Sequence, residues 1–253
     1  MAVTLGNRTL RDRLVLGLAI VVLWQLMAAF TQYWVFPSIP EMLGATYQAV
    51  VDPQFDTYAG QLVDTFRRLL AGFVLSVLLG GGVGTLMGLR DDVESFFRPW
   101  VVFGLSVPAI AVAFGLVIAI GISEWVPVLT VTIVGVPFVM LNMWEGAQDL
   151  DQDIEQMAAF YGVSRYQWYR DVLFPQVLQY LFPSMYWALV VSWKVLFIAE
   201  VFGAGSGVGF MVNYWFSQQR VDMLLGWVLV PVLVVIVAQE GLQALEHRVM
   251  AWR

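Results

Sequence analysis

Long apolar stretches separated by short polar segments run along the chain from end to end. Each stretch is about 20 residues long, which is the length a helix needs to cross a hydrocarbon core of ~30 Å. A helix satisfies its own backbone hydrogen bonds in lipid, where no water is available. The pattern therefore predicts an all-α, polytopic membrane protein. We place six spans at about residues 14–36, 61–89, 98–120, 125–145, 178–202 and 223–244.

Arginine placement gives the expected orientation. With the N-terminus inside, nine arginines fall in cytoplasmic segments and only Arg220 falls in an outer loop, and such a bias sets topology. Arg67 and Arg68 lie in the outer part of the second span. The apolar stretch 14–36 is longer than the core of a cleavable signal peptide. We therefore expect a multi-pass inner-membrane protein with both termini in the cytoplasm.

Composition narrows the function classes. Hydrophobic residues make up 60% of the chain and charged residues 13%. Soluble domains contain about 25% charged residues. We therefore treat residues 1–253 as a single transmembrane domain surrounded by lipid. The chain has no cysteine and one histidine, His247, which argues against thiolate or histidine metal sites and a Ser-His-Asp triad. A net charge of −6 argues against nucleic acid as a partner.

The longest polar segment between two spans covers residues 149–175. Its first part suits a helix, because Ile154, Met157, Ala158 and Tyr161 recur on one face. Gly162 is expected to end that helix. Ser164 then caps a second helix over 165–173, which Pro175 closes. A solvated connector needs neither the break nor the cluster of aromatic residues, so we interpret the segment as a docking element.

This segment, QMAAFYGVSRYQWYRDVLFPQ, resembles the EAA loop of permease subunits of bacterial ABC importers. Gly162 matches the glycine of that motif and Ala158 its second alanine. Gln156 stands where the acidic residue usually is, and Glu155 lies one place before it. SIPEML, RRLLAGF, AEVFGAGSGVGFMV and LEHRVMAWR are similar to the nitrate, taurine and sulfonate branch of the family.

The resemblance implies a type I ABC importer permease fold and a mechanism. Such permeases act in pairs, here expected to be a homodimer, above two ATPase subunits that bind ATP and Mg. A binding protein delivers the substrate, expected to be a small anion such as a sulfonate, taurine, nitrate, bicarbonate or an organic acid. The permease itself is not an enzyme and binds no cofactor. The expected coupling residues are Glu155, Gln156, Ala158, Gly162, Ser164 and Arg165.

Charged residues inside spans are costly in lipid and are therefore candidates for function. Lys194 falls near the middle of the fifth span, where it either faces the substrate pathway, pairs with a carboxylate on another helix or snorkels. If Lys194 faces the pathway, Trp193 provides a flat wall beside it. Glu200 is expected to tie the span to the glycine-rich segment that follows. Further pathway candidates are Asn142, Arg67 and Arg68, and both arginines alternatively snorkel outward.

Small residues and prolines predict local features. Gly80, Gly84 and Gly88 form a stripe on which another helix can pack closely. Residues 203–209, GAGSGVG, predict a tight turn. Pro108 and Pro137 predict kinks. Residues 41–51 suit a short surface helix.

Two other functions fit the sequence less well. An intramembrane enzyme needs paired carboxylates, histidines or a nucleophile within its spans, and the spans offer little beyond Lys194 and Glu200. An ion-coupled carrier without an ATPase often carries inverted repeats and broken helices, and no repeat is visible in this sequence.

Overall fold

A computed structural model describes residues 3–31, 36–51, 58–149 and 152–249. Every regular element in these ranges is helical, which confirms the all-α prediction. The elements are α1 (Val3–Phe30), α2 (Ile39–Val51), α3 (Tyr58–Leu89), α4 (Asp91–Ser106), α5 (Ala109–Ile120), α6 (Trp125–Gln148), α7 (Gln152–Phe160), α8 (Arg165–Gln167), a π-helical turn (Trp168–Leu173), α9 (Phe174–Gly203), α10 (Val208–Ser217) and α11 (Val221–Val249).

Four helical segments in the described ranges are long and apolar enough to cross a membrane. They are Tyr58–Leu89, Trp125–Gln148, Arg165–Gly203 and Val221–Glu246. The first predicted span, 14–36, coincides with the shorter apolar segment Val15–Phe30, and its residues 32–35 lie outside the described residues. The count of six spans therefore stays a prediction.

The third predicted span, 98–120, is not one straight helix. It is divided into α4 and α5, which meet at an angle of 96°. Val107 and Pro108 between them are extended, with ψ of 125° and 129°. Proline disfavours the helical conformation in the residue before it, so Pro108 breaks the helix where we expected only a kink. α6 is continuous through Pro137, and the kink predicted at that residue stays a prediction.

The chain folds into two compact units, and the smaller consists of residues 1–59 and 211–230. In this unit, α2 begins with a reciprocal cap, in which Ser38 N and Oγ donate to Glu41 at 2.7 and 2.8 Å. The ring of Tyr58 packs against Trp227 with centroids 4.4 Å apart. The helix predicted at 41–51 is thus present and slightly longer.

The larger unit, residues 60–210 and 231–253, is built around α6. Thirteen residues of α6 are buried, because α3, α4, α5 and α9 each pack against it. One core cluster joins four of the helices of this unit through aliphatic side chains. It contains Leu69, Val131, Val195, Leu196 and Val235.

The glycine stripe of α3 is the surface that packs on α6. A Cβ placed on Gly84 would lie 2.5 Å from the carbonyl oxygen of Met140, so the two backbones touch at this position. Gly72 faces Val128 and Val131, whereas Gly88, farther along α3, faces residues 144 and 147. The two helices therefore run parallel, as the predicted orientation of the second and fourth spans requires. The packing function predicted for the stripe is confirmed.

Candidate functional site: the polar loop and the Arg68–Glu200 cluster

The polar loop begins with α7, which ends in a left-handed glycine. Gly162 has φ of +62°, a conformation that costs little without a Cβ. The amide of Tyr161 donates to the carbonyl of Met157 at 3.0 Å, and that of Val163 donates to Ala158 at 3.1 Å. These bonds satisfy carbonyls at the end of the helix. The prediction that Gly162 ends the first helix is confirmed.

The second helix of the loop begins with a capping box. The amide of Gln167 donates to Ser164 Oγ at 3.3 Å, and the amide of Ser164 donates to Gln167 Oε1 at 3.2 Å. The predicted cap at Ser164 is therefore confirmed. The predicted end at Pro175 is wrong, because α8, the π-helical turn and α9 form one continuous helix, Arg165–Gly203. Pro175 lies inside this helix, directly after the π-helical turn and Phe174, and such a turn interrupts the i→i−4 hydrogen-bond pattern that a proline cannot complete.

The loop exposes large apolar side chains. Met157, Phe160 and Tyr161 are 58%, 86% and 75% exposed, whereas Ala158 is buried. The three exposed apolar side chains and the exposed Gln156 line a shallow concave patch. Arg165 is also exposed, and the side chain of Glu155 lies outside the described residues. Contiguous exposed apolar surface rimmed by polar groups marks protein–protein contact sites.

A second group of polar residues lies buried where the N-terminal half of α3 meets the end of α9. The Arg68 guanidinium donates to Glu200 Oε1 at 2.9 Å, and the two side chains are 2% and 0% exposed. Thr65 Oγ1 lies 2.9 Å from Glu200 Oε2. A buried charge requires a partner, and this pair supplies one for each side chain. We refer to Arg68, Glu200 and Thr65, together with residues 206–209 of the glycine-rich turn bonded to them, as the Arg68–Glu200 cluster.

The cluster holds the glycine-rich turn in place. The amide of Gly209 donates to Glu200 Oε2 at 3.0 Å, and that of Val208 donates to Thr65 Oγ1 at 2.8 Å. Arg68 also donates to the carbonyl and hydroxyl oxygens of Ser206, at 2.8 and 2.7 Å. The predicted tie between Glu200 and the glycine-rich segment is thus present.

Glycine is required at one position of this turn. Gly207 has φ of +103°, and a Cβ there would meet the carboxylate of Glu200. Its amide donates to Gln61 Oε1 at 2.5 Å. Side chains of α3 therefore hold the turn by its backbone amides as well as by Ser206.

Arg67 and Arg68 are adjacent in sequence but differ in environment. Arg67 is 58% exposed and pairs with Glu124, which is 62% exposed. Arg68 is buried, and its Nε has no hydrogen-bond partner within the described residues. Arg68 therefore does not snorkel outward, whereas Arg67 forms a surface ion pair. The two arginines line a cavity of about 270 Å³ together with Glu124 and Trp125.

The other pathway candidates separate in space. Trp193 is half-buried and stacks on Phe66 with centroids 6.2 Å apart, so it faces the core and not an open wall. Asn142 donates to the carbonyl of Phe138 in its own helix at 2.8 Å. Lys194 is exposed, and no described carboxylate forms an ion pair with it.

Sequence reasoning missed most of the polar partners in the cluster. Gln61 precedes Asp64 and Thr65 by three and four residues, and Arg68 follows them by four and three, so the four side chains share one face of α3. That periodic polar stripe at the start of an apolar span was the available signal. Within the described residues, no three His, Cys, Asp or Glu side chains are grouped in a way that suits a metal ion.

Comparison with known proteins adds independent findings. The family model described as "Binding-protein-dependent transport system inner membrane component" matches residues 72–239. The taurine transport system permease protein TauC of Escherichia coli (strain K12) is 28% identical over 191 residues, covering 76% of this chain and 70% of its own. A putative aliphatic sulfonates transport permease protein, SsuC of Bacillus subtilis (strain 168), is 22% identical over 242 residues, with 95% and 87% covered.

Solved structures support the fold. A structure of the MetNI methionine ABC transporter in an inward-facing conformation matches with a TM-score of 0.68 at 13% identity. The match covers 77% of this chain and 96% of that one. At this identity the likeness shows the fold alone, and that fold is the one predicted for an importer permease. These findings favour an ABC permease over an ion-coupled carrier.

Proposed function

Because the chain belongs to the family of binding-protein-dependent transport system inner membrane components, we propose that it imports a small anion with the energy of ATP hydrolysed by separate subunits. It is the membrane-spanning permease of an ABC transporter. In the proposed complex, two copies of this chain form the pathway, two ATPase subunits bind ATP and Mg, and a binding protein delivers the substrate. Both termini lie in the cytoplasm. The chain itself hydrolyses nothing and binds no cofactor.

The exposed apolar patch on α7 carries the coupling part of the proposal. Phe160 is 86% exposed in a segment that is too polar to lie in lipid, so a protein partner is the surface that would bury it. A coupling element must also be stiff, since a flexible loop would absorb the motion it transmits. The capping box at Ser164 and the continuous helix into α9 provide that stiffness. We assign coupling to Glu155, Gln156, Ala158, Gly162, Ser164 and Arg165.

The proposed substrate is anionic because the relatives are named for taurine, nitrate, aliphatic sulfonate and bicarbonate transport. Lys194 is the pathway residue best placed to recognise an anion, since it is exposed and cationic. Arg67 is placed to meet an anion at the entrance, next to Glu124. Arg68, Trp193 and Asn142 support the pathway from behind through their packing and hydrogen bonds.

A matched pair of variants tests the coupling proposal. Phe160→Ser removes an exposed phenyl group from the patch, and Phe96→Ser removes one that is 63% exposed on α4. In the complex reconstituted with its ATPase and binding protein, Phe160→Ser should reduce the stimulation of ATP hydrolysis by the binding protein about tenfold, as loss of an interface anchor does. Phe96→Ser should leave it unchanged. Normal stimulation in an assembled Phe160→Ser complex would refute the assignment of the patch.

A further inference from the structure

Lys194 lies on a face of α9 that carries several exposed side chains. Pro183, Trp187, Lys194 and Phe202 are all exposed, and Phe202, at the far end of this face, also packs against Phe114 of α5 with ring centroids 4.9 Å apart. Their spacings of four, seven and eight residues place them within about 60° of Trp187 around a helix. The face is otherwise aliphatic, with Val190, Val191 and Ile198 half-buried between the exposed positions. It is therefore a continuous strip along the helix with a single charge in it.

The protein does not neutralise that charge within the described residues. Glu200, the nearest acidic residue along α9, lies about 120° away around the helix and is fully buried in its pair with Arg68. No other described carboxylate forms an ion pair with Lys194. A cationic side chain in the middle of a membrane helix is costly in lipid, and such residues nearly always face a bundle interior or a water-filled cavity. The strip thus fits the wall of a hydrated pathway.

An exposed indole accompanies the ammonium group on this strip. Trp187 is 55% exposed and precedes Lys194 by seven residues, or about 10 Å along the axis. Side chains on a helix lean towards its N-terminus, so the long Lys194 side chain extends in the direction of Trp187. Trp193, by contrast, stacks on Phe66 and does not belong to the strip.

We propose that Trp187 and Lys194 form a binding site for an organic monoanion with an apolar body. Lys194 binds the carboxylate or sulfonate group, and the body of the ligand lies on the indole of Trp187. The inference rests on the proposed function, since it takes the strip as part of the transport pathway. It is narrower than that function, because inorganic nitrate has no apolar body and taurine carries an ammonium group of its own.

The composition of the chain makes the site directly observable. Lys194 is the only lysine among its 253 residues, so an amine reagent has one side-chain target. In the full complex in lipid nanodiscs, a water-soluble sulfonated acetylating reagent should modify Lys194, and mass spectrometry reads the product. When this chain alone is reductively ¹³C-methylated and then assembled with unlabelled partner subunits, Lys194 should give a single dimethyl-lysine NMR signal. The signal is identified by its loss in Lys194→Arg.

Three probes separate the possible ligands. Benzoate should shift the dimethyl-lysine signal with saturation, and it should slow acetylation of unmethylated Lys194. Nitrate and taurine should do neither at the same millimolar concentrations. Trp187→Leu should raise the half-saturating benzoate concentration about fivefold or more, as loss of an aromatic contact does. Phe202→Leu, an aromatic change on the same strip, should not alter it.

Several outcomes would overturn the inference. They are failure of the reagent to reach Lys194 in the assembled complex, an unsaturated response to benzoate, and a response to nitrate equal to that to benzoate. These outcomes leave the proposed function intact when the Phe160→Ser and Phe96→Ser comparison still shows coupling through the loop. If Phe160→Ser and Phe96→Ser instead have the same effect on the stimulation of ATP hydrolysis, while benzoate still binds saturably at Lys194, the result contradicts the proposed function alone.

Discussion

The two neighbouring arginines of α3 allow the energetic contribution of the Arg68–Glu200 cluster to be measured against an internal reference. Arg68 and Glu200 are 2.9 Å apart and almost completely buried, whereas Arg67 and Glu124 are 2.5 Å apart and each more than half exposed. We consider two double-mutant cycles. One uses Arg68→Met and Glu200→Gln, and the other uses Arg67→Met and Glu124→Gln.

The structure predicts different coupling energies for the two pairs. Unit charges about 4 Å apart attract by about 4 kcal/mol at an effective dielectric constant of ~20, and removing one partner of a buried pair destabilises a protein by about 3–5 kcal/mol. The double variant leaves no uncompensated charge from this pair, so the cycle should give a coupling energy of about 2–3 kcal/mol. For the exposed pair we expect less than about 1 kcal/mol.

Equilibrium unfolding in mixed micelles of detergent and dodecyl sulfate measures these energies on the full chain. Tryptophan fluorescence and far-ultraviolet circular dichroism should report the same transitions. If the buried cycle is additive within about 0.5 kcal/mol, or if both cycles give the same coupling, burial does not strengthen the Arg68–Glu200 pair and our account of the cluster is refuted.

Three further predictions use matched positions. Gly84→Leu should abolish the accumulation of folded protein, because a side chain there meets the backbone of α6. Gly82 has open space around it, so Gly82→Leu should not. Size-exclusion chromatography measures the folded protein in both cases. Gly207→Ala should lower the unfolding midpoint, because its backbone is left-handed and its Cβ would enter the cluster; Gly205→Ala, with neither constraint, should leave the midpoint unchanged. Ser164→Ala should destabilise the start of α8 by about 1 kcal/mol, and faster amide hydrogen exchange confined to residues 165–168 would show it, whereas unchanged exchange would contradict the cap.

Hydropathy predicted most of the architecture because lipid imposes one simple rule on the backbone. A stretch of about 20 apolar residues must be a helix if it crosses the membrane. The loop residues Gly162 and Ser164 were equally predictable, because left-handed glycine and side-chain caps are local effects. The predictions that depended only on proline did less well. Pro108 breaks its span instead of kinking it, and Pro175 lies within a continuous helix instead of ending one. The kink at Pro137 stays a prediction.

Contacts between distant helices were beyond the reach of the sequence pattern. Arg67 and Arg68 are indistinguishable by composition, yet one is buried and the other exposed, because a step of about 100° around a helix separates them. The same step places Trp193 towards the core and Lys194 on the open face of α9. Such assignments require the neighbours of each helix to be known. The coupling and pathway residues stay predictions.

The most direct test of the central claim, that this permease is driven by an ATPase through its polar loop, is site-specific cross-linking. The chain contains no cysteine, so a single cysteine introduced by Met157→Cys, at a position that is 58% exposed on α7, reports on one place. We predict that it cross-links to the ATPase subunit in the assembled complex and that Phe96→Cys on α4 does not. An assembled, ATP-hydrolysing complex in which Met157→Cys gives no cross-link, while Phe96→Cys does, would contradict the account.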